Sequence, residues 1–334
     1  MIFVTGGTGL VGSHVLLKLA QQSQAFKALK RESSSLDICE RVFNYYNANS
    51  LFTKIKWIDG DINDVSSLEI GMKDCNLLLH CAGIVSFSPS DIGILKKVNI
   101  EGTANVMNVA LSSGIKRAGF VSSIAALGRN STVDLVDEEC YFQATKLDSN
   151  YALTKYLAEQ EVWRASAEGL EVVIVNPSVI LGPGDWTKGS SKIFEKIYKG
   201  LKFYTNGSTG YVDVSDVSTV LIQLLLSDVK NERFIVNAVN LKYRDCFDKI
   251  AVALGKTKAS IEVTPLMKEI IWRLEAIRSF VTGKKPLITK ETAKSSMTES
   301  VFSNAKIKKR LAFKFTDIDT TINKYVNWFL SEQV

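Results

Sequence analysis

A tyrosine and a lysine four positions apart, Tyr151 and Lys155, form the pair of residues best suited to proton transfer in this chain. On a helix, positions i and i+4 share one face, so the phenol and the ammonium would lie side by side. The ordinary pKa of a tyrosine, about 10, is too high for proton exchange at neutral pH, and a neighbouring cation favours the phenolate. We therefore predict a centre that protonates a carbonyl or deprotonates an alcohol.

The same spacing occurs a second time, in Tyr198 and Lys202, and the surrounding sequence distinguishes the two pairs. The first pair begins a segment of helical periodicity, 151–167, that leads to an apolar run, whereas Gly200 interrupts the second pair. Upstream, Ser123 lies at the predicted carboxyl end of a strand, where ligands bind in parallel sheets. Its hydroxyl would stabilise charge developing on a substrate oxygen, and Ser122 is the nearest alternative for this role.

Closely spaced glycines follow the first apolar run of the chain, in the sequence Thr5, Gly6, Gly7, Thr8, Gly9, Leu10, Val11 and Gly12. Both GxGxxG and GxxGxxG fit this segment. Either pattern lets the backbone turn tightly and approach a pyrophosphate at the N-terminus of a helix, where N–H donors are free. Because a predicted strand precedes the glycines and a predicted helix follows them, the pattern predicts dinucleotide binding.

The end of the second predicted strand bears on the choice between NADP and NAD. An acidic residue there would bind the ribose 2′-hydroxyl of NAD, but the chain has Lys30 and Arg31, which can pair with a 2′-phosphate. We expect NADP(H), with NAD(H) kept open by Glu32. Asp61 and Ile62, after the third predicted strand, are candidates for a contact with adenine or for an ordinary turn.

Short apolar runs alternate with amphipathic segments, a pattern typical of βαβ units around a parallel sheet. Strands are predicted at 2–5, 26–30, 55–58, 77–81, 119–122, 172–176 and 234–237, and helices at 10–21, 66–72, 98–112, 151–167 and 214–226. The predicted fold class is α/β, a Rossmann-type doubly wound parallel sheet with a smaller C-terminal lobe. We assign 1–182 and 211–240 to the cofactor domain, and 183–210 and 241–334 to the substrate-binding lobe.

A late amphipathic segment, 266–281, has apolar residues at near-helical spacing: Met267, Ile270, Ile271, Leu274, Ile277 and Val281. We predict a helix that covers the smaller lobe with this face. The cations Lys268, Arg273 and Arg278 leave contact with a membrane surface as the alternative, although Glu269 and Glu275 dilute their charge.

The composition limits the remaining function classes. The chain has 334 residues, 46% of them hydrophobic and 23% charged, which is typical of a folded globular protein. The formal net charge of +6 is modest and scattered, so nucleic-acid binding is not expected. Five cysteines without a CxxC and two histidines give no zinc-ligand pattern, so we predict no metal. No signal peptide or long apolar run is recognisable, so we predict no membrane insertion and a cytoplasmic location.

Taken in order, these motifs resemble the extended short-chain dehydrogenase/reductase family, within the NAD-dependent epimerase/dehydratase superfamily. Further matching segments are 79–83, 98–99 and 176–184. The resemblance implies that Cys81, Ala82, Gly83 and Ser122 lie beside the cofactor and that Pro177, Ser178 and Val179 pass beside the nicotinamide. It also implies that Asn99 positions the catalytic helix, relays protons or merely packs. His80 is expected to be a packed strand residue.

Within that family the chain is most similar to reductases of the dihydroflavonol 4-reductase, cinnamoyl-CoA reductase and 3β-hydroxysteroid dehydrogenase type, through Arg31 and the segments 211–217 and 285–289. The expected reaction is reduction of a ketone or aldehyde to an alcohol with NADP(H). Ile124 and Ala125 stand where dehydratases of the family have an acidic pair, which argues against dehydration. An NAD-dependent sugar-nucleotide epimerase and a non-catalytic dinucleotide-binding regulator remain alternatives.

The substrate itself is not defined by any motif. Several aromatic residues would wall a pocket for an apolar carbonyl compound, or would pack in the core: Phe87, Tyr141, Phe142, Trp186, Tyr204 and Trp272. A homodimer is an analogy with the family.

Overall fold

The computed structural model describes residues 1–128, 135–142, 149–283, 285–286 and 288–333. Within them the strands are β1 Ile2–Thr5, β2 Phe26–Lys30, β3 Lys56–Asp59, β4 Leu77–His80, β5 Arg117–Val121, β6 Leu135–Val136, β7 Glu171–Pro177, β8 Val179–Leu181, β9 Phe203–Tyr204, β10 Ser208–Asp213, β11 Glu232–Val236, β12 Val239–Lys242, β13 Ile261–Glu262 and β14 Val301–Phe302.

The α-helices of the same residues are α1 Leu10–Gln21, α2 Asp37–Tyr45, α3 Asn49–Phe52, α4 Val65–Met72, α5 Ile92–Leu95, α6 Gly102–Ser112, α7 Asn150–Ala167, α8 Lys192–Tyr198, α9 Val214–Leu226, α10 Tyr243–Ala253, α11 Pro265–Thr282, α12 Lys290–Ser295, α13 Ala305–Leu311 and α14 Ile318–Ser331. Short 3₁₀ turns lie at Pro89–Asp91 and Ile124–Ala126, and Lys96–Glu101 is π-helical.

One parallel sheet of seven strands organises the fold, in the order β3-β2-β1-β4-β5-β7-β11. All neighbouring pairs are parallel. The chain begins in the middle of the sheet, runs outward to β3, returns to β4 beside β1, and then continues to β11 at the opposite edge. The strand order therefore reverses between β1 and β4, which in such sheets is the place where ligands bind.

Apolar side chains cover both faces of this sheet. On one face, residues of α1 and α9 such as Leu16 and Leu221 pack with α14 and the sheet. On the other face, residues of α4, α6 and α7 such as Leu68, Val106 and Val162 form a second cluster. The predicted α/β class with a Rossmann-like parallel sheet is confirmed.

Three smaller sheets lie toward the C-terminal half of the chain. β10 pairs in parallel with β8 and antiparallel with β12, while β9 pairs with β13 and β6 with β14. The strands of the three-stranded sheet were not predicted. The proposed division between a cofactor domain and a substrate lobe stays a prediction. Of the segment 285–289, which contributed to the family resemblance, position 287 lies outside the described residues.

Local sequence signals predicted some helices better than others. The predicted helices 10–21 and 214–226 coincide with α1 and α9. The predicted helix 98–112 is split, because its first turns are π-helical up to Glu101. The predicted orientation of the helix at 266–281 is wrong in part: α11 forms and Met267 and Ile271 are half-buried, but Ile270, Leu274 and Ile277 are exposed instead of covering the lobe. Among the described helices, none is long and apolar enough for a membrane span.

Candidate active site

The loops after β1, β4, β5 and β7 meet at one edge of the sheet, because these parallel strands are neighbours and end on the same side. A Cβ added to Gly6 would lie 2.5 Å from the backbone nitrogen of Ala82, so the loops after β1 and β4 touch. A Cβ added to Gly83 would lie 3.9 Å from the Nζ atom of Lys155. The glycine loop, the loop after β4 and α7 therefore border one site.

Tyr151 lies in the first turn of α7, whose N-cap Ser149 accepts a hydrogen bond from the backbone N–H of Ala152 at 3.0 Å. Partial removal from water raises the pKa of the Tyr151 phenol above its ordinary value, and a hydrogen bond with the Ser123 side chain opposes this. Desolvation outweighs the neighbouring ammonium, so the pKa of Tyr151 is raised, whereas the sequence predicted that it would be lowered. The phenol is therefore held protonated, as a proton donor requires.

Lys155, one turn further along α7, is buried beneath the site. Its ammonium donates a hydrogen bond to the carbonyl oxygen of Val121 at 2.9 Å and lies 4.5 Å from the centre of the Phe120 ring. Burial lowers the pKa of Lys155 to about 8, while the negative charge of Glu159 acts in the opposite direction. The lysine is thus a cation that can lose its charge near neutral pH.

The two serines after β5 point in different directions. The Ser122 hydroxyl donates to Oε2 of Glu159 at 2.7 Å, whereas the Ser123 side chain is hydrogen-bonded to Tyr151 and accepts from the backbone N–H of Ala125 at 3.1 Å. The geometry therefore places Ser123, and not Ser122, beside Tyr151. Ser122, a candidate for cofactor contact, uses its hydroxyl inside the protein.

Asn99 connects the loop after β4 to the catalytic helix. Its amide oxygen accepts from the backbone N–H of Ile84 at 2.8 Å, and its amide nitrogen donates to Thr154 Oγ1 at 3.2 Å and to the Ile84 carbonyl at 3.0 Å. Asn99 is buried and lies in the π-helical turn. Of the roles considered for Asn99, these contacts favour positioning of α7.

Thr5 and His80 are bonded to each other below the site. The Thr5 hydroxyl lies 2.6 Å from Nδ1 of His80, and Nε2 of the same ring lies 3.0 Å from the Thr103 hydroxyl. Burial lowers the pKa of His80 to about 3, so the imidazole is neutral. His80 packs in the interior, as expected from its strand, and the hydroxyl of Thr5 is directed toward it rather than toward a ligand.

Glu159 is a component of the site that was not predicted from the sequence. Its carboxylate is buried and accepts hydrogen bonds from Ser122, from the Asn176 amide at 2.9 Å and from the Arg233 guanidinium at 3.0 Å. Its spacing gives a signal, because Glu159 follows Lys155 by four positions and so shares its helix face. The partners are spread along the chain, and no spacing rule identifies them.

The glycine loop has the shape that a pyrophosphate requires. A Cβ on Gly12 would lie 2.0 Å from the Gly6 carbonyl oxygen, and Gly6 has a positive φ of 73°, so neither position accommodates a side chain. Gly9 is the N-cap of α1 and provides no side-chain cap. The first N–H groups of the helix, from Leu10 and Val11 onward, therefore lack intrahelical acceptors, and the helix dipole adds positive potential there. The loop fits a dinucleotide phosphate.

Beside the glycine loop, Gly7 packs against α1 and Thr8 is half-buried at its tip. A Cβ on Gly7 would lie 2.7 Å from Cδ1 of Leu16, a side chain of α1. Because α1 is so close, position 7 has no room for a side chain unless Leu16 moves. Glycine at this position therefore permits the close approach of α1 to the loop.

Lys30 and Arg31, the two cations predicted to lie at the adenosine end of the site, have different partners. The Lys30 ammonium forms an ion pair with Asp59 on the adjacent strand. Arg31 is exposed, and its Nε lies 3.4 Å from the Ser34 hydroxyl. Of the two cations, Arg31 is the one without a carboxylate partner in these contacts.

Asp61 and Ile62 form a compact turn after β3. Oδ1 of Asp61 accepts hydrogen bonds from the backbone and side-chain nitrogens of Asn63 at 2.8 and 2.9 Å. Ile62 is buried and would contact a Cβ added to Gly102. These contacts agree with an ordinary turn at Asp61 and Ile62. A contact of the two residues with adenine stays a prediction.

The segment from Pro177 to Val179 crosses the edge of the sheet between β7 and β8. Pro177 ends β7, and the backbone N–H of Ser178 donates to the carbonyl oxygen of Val236 at 3.1 Å. Ser178 is buried, whereas Val179 is half-buried at the start of β8. The segment lies beside the end of β5, since β5 and β7 are neighbours.

Of the aromatic residues that were predicted to line a substrate pocket, some lie at the site and others pack in the core. The Phe87 ring lies 5.7 Å from the Tyr151 ring, edge to face, at the site. Trp186 is buried against Phe194 and Phe329 in the core. The remaining members are an exposed Tyr141, Phe142 stacked on Tyr156, Tyr204 under Arg244, and Trp272 on α11.

The second tyrosine–lysine pair is not a site. The Tyr198 ring packs against Phe329 and beneath the Lys256 ammonium, while Lys202 is exposed beyond the end of α8. Gly200 has a positive φ of 88° and ends the helix between them.

Residues 2–237 match the model of the NAD dependent epimerase/dehydratase family. The chain belongs to this family. The resemblance to extended short-chain dehydrogenases/reductases is thereby confirmed. This is a family of NAD(P)-dependent reductases and epimerases.

Relatives of the family cover nearly all of the chain. A putative dihydroflavonol 4-reductase of Synechocystis sp. is 29% identical over 98% of this chain and 94% of its own length. Cinnamoyl-CoA reductase 1 of Oryza sativa is 24% identical over 98% of this chain and 89% of its own length. The solved UDP-glucose 4-epimerase of Thermotoga maritima has a TM-score of 0.78 at 19% identity, covering 100% and 99% of the two chains, a likeness of fold.

We predict that Gly9→Ala weakens dinucleotide binding while the fold is retained. The backbone φ of −95° suits alanine, and the added Cβ would contact the protein only at 3.5 Å, but it would stand where the backbone must approach a pyrophosphate. The dissociation constant for NADPH should rise by at least about tenfold in a fluorescence titration. The control is Gly93→Ala, whose Cβ meets no atom within 4 Å. Unchanged affinity of Gly9→Ala would exclude this loop as the phosphate cradle.

We also predict that Glu159→Ala lowers the free energy of unfolding by about 3–5 kcal/mol, because it leaves the Arg233 guanidinium without its carboxylate, the buried Ser122 hydroxyl without its acceptor and the Asn176 amide with only the Ser123 carbonyl. The matched control is Glu161→Ala on the same helix, which removes a half-exposed pair with Arg164 and should cost less than about 1 kcal/mol. Denaturant unfolding measures both. Equal losses would show that the buried network contributes no more than a surface pair.

Proposed function

We propose that this chain is an NADP(H)-dependent oxidoreductase that reduces a ketone or aldehyde to an alcohol. One observation carries the proposal: the Tyr151 phenol, held protonated and hydrogen-bonded to Ser123, lies one helical turn from the buried Lys155, at the edge where the loop after β4 touches both the glycine loop and α7. This is the arrangement that proton donation to a carbonyl oxygen requires.

A nicotinamide dinucleotide, when bound, would supply the hydride. The glycine loop would hold its phosphates, and Cys81 to Gly83 together with Pro177 to Val179 would border it. Ser123 would bind the substrate oxygen and Tyr151 would protonate it. Lys155 would stabilise the phenolate that remains, and Asn99 would keep α7 in place. The relatives named as reductases support this assignment.

We also propose the surroundings of this reaction. Phe87 beside Tyr151 favours an apolar or aromatic carbonyl substrate. Residues 1–182 and 211–240 would hold the cofactor, and 183–210 and 241–334 would border the substrate. The five cysteines are free thiols, which favours a reducing compartment such as the cytoplasm. Association as a homodimer is proposed by analogy with the family.

The first experiment is a titration of the purified chain with NADPH and NADH, after mass spectrometry for a retained dinucleotide. Micromolar binding of NADPH by a cofactor-free preparation supports a dissociating reductase. Retained NAD would favour an epimerase instead, because an epimerase keeps and regenerates its cofactor. Absence of binding to either dinucleotide would reject both enzymatic functions and leave a role without this cofactor.

Tyr151→Phe tests the catalytic assignment. The substitution removes only the proton donor, so kcat/KM for the best carbonyl compound in a panel of aliphatic and aromatic ketones and aldehydes should fall by at least about 100-fold. Binding of NADPH should be unchanged. Tyr198→Phe is the control, because it alters the other tyrosine of the same spacing and should leave the rate unaffected. A Tyr151→Phe enzyme of full activity would reject the mechanism.

Arg31→Ala tests the proposed preference for NADP(H). Loss of a guanidinium that pairs with a 2′-phosphate should weaken NADPH binding by about 10- to 100-fold and change NADH binding little. Lys30→Ala is the comparison, since Lys30 already pairs with Asp59. If Arg31→Ala weakens both dinucleotides equally, Arg31 does not read the 2′-phosphate.

A further inference from the structure

The helix α11 exposes a row of large apolar side chains. None of its residues is buried. The exposed fractions are 71% for Leu266, 49% for Ile270, 59% for Leu274, 60% for Ile277, 91% for Phe280 and 75% for Val281. Because these positions recur three or four apart, they form one face of the helix, which we call the apolar stripe. An exposed patch of this kind marks a surface that contacts something apolar.

The opposite face of α11 is the one held against the protein, so the outward direction of the apolar stripe is fixed by contacts. Met267, Ile271 and Trp272 are half-buried on that inner face. After the helix, Lys285 forms an ion pair with Asp91 at 2.7 Å. The Glu291 carboxylate accepts a hydrogen bond from the backbone of Asn150 at the start of α7. The segment is thus anchored at the border of the candidate site.

Cations accompany the apolar stripe in the same part of the chain. Residues 265–295 contain seven lysines and arginines against three glutamates, a net charge of +4 within a total of +6 for all 334 residues. Lys290 and Lys294 are exposed there, and Arg273 lies within the exposed face. Apolar surface and positive charge therefore occur on one segment.

The apolar side chains and the positive charge together decide between two possible partners for the apolar stripe, a second copy of the chain and a lipid surface. A second copy of the chain, related by a two-fold axis, would bring together two segments that each keep a net charge of +3 once Lys285 is paired with Asp91, and like charges oppose that association. An anionic lipid surface satisfies both properties, because its acyl boundary accepts apolar side chains and its head groups attract lysine and arginine.

We propose that α11 is a docking surface for an anionic membrane. The helix lies in the plane of the interface with the apolar stripe in the head-group boundary, and Lys290 and Lys294 contact lipid phosphates. The chain rests on the bilayer and does not cross it. The surface lies next to the segment that contains Asp91 and the Phe87 ring on Tyr151.

The test is cosedimentation of the full chain with vesicles of phosphatidylcholine alone and of phosphatidylcholine with phosphatidylserine. We expect the chain to bind the vesicles with phosphatidylserine and to be released as salt is raised. The double substitution Leu274→Gln and Ile277→Gln should reduce the partition coefficient by about tenfold or more. The control is Ile70→Gln with Val252→Gln, which replaces side chains of similar exposure, 67% and 62%, elsewhere on the surface.

Circular dichroism checks that both double variants fold. If the stripe variant does not fold, Phe280→Ser, at the most exposed position of the apolar stripe, makes the same comparison. The proposal is overturned if the wild-type chain does not bind vesicles with phosphatidylserine, or if both double variants lose binding equally. It is also overturned if light scattering finds a dimer that the stripe variant dissociates while neither vesicle binds, because a second copy would then cover the apolar stripe.

Discussion

The Glu159 carboxylate joins the catalytic helix to three strands that are separated in sequence. It accepts from Ser122 after β5, from Asn176 in β7 and from Arg233 in β11, and Arg233 donates onward to the backbone carbonyl of Glu138. A buried carboxylate is tolerated only when its oxygens are satisfied in this way. The contacts fix both the rotation and the axial position of α7. The positions of Tyr151 and Lys155, the proposed catalytic residues of that helix, depend on this register.

The same arrangement determines the electrostatics of the site. Removal from water disfavours the charged form of each group, so the pKa of Tyr151 rises and the pKa of Lys155 falls. The negative charge of Glu159 partly restores the lysine cation, and the hydrogen bond from Ser123 partly offsets the rise at the tyrosine. The residue that positions the helix therefore also keeps its lysine charged. Position and protonation are not independent properties here.

The sequence predicted correctly those features that depend on residues close together in the chain. The glycine spacing and the periodicity of α1 and α9 are local, and the structure agrees with their bounds. The sequence favoured Ser123 over Ser122, but only the structure separates the two by their partners, because adjacent residues at a strand end face opposite ways and the strand end must be known to one position. Glu159 was not predicted because its partners are distant in the chain. The outward face of α11 was predicted wrongly, because amphipathicity shows that a helix has an apolar face but does not show what covers it.

Lys30 and Arg31 show how a strand separates residues that the sequence presents as a pair. Lys30 is the last residue of β2 and stands opposite Asp59 in the parallel register, where the two charges pair. One of the two cations is thereby already paired with a carboxylate and is no longer free for a phosphate. Arg31 lies beyond the strand and is exposed. The proposed preference for NADP(H) consequently depends on one guanidinium, which can form paired hydrogen bonds with a phosphate that a lysine cannot.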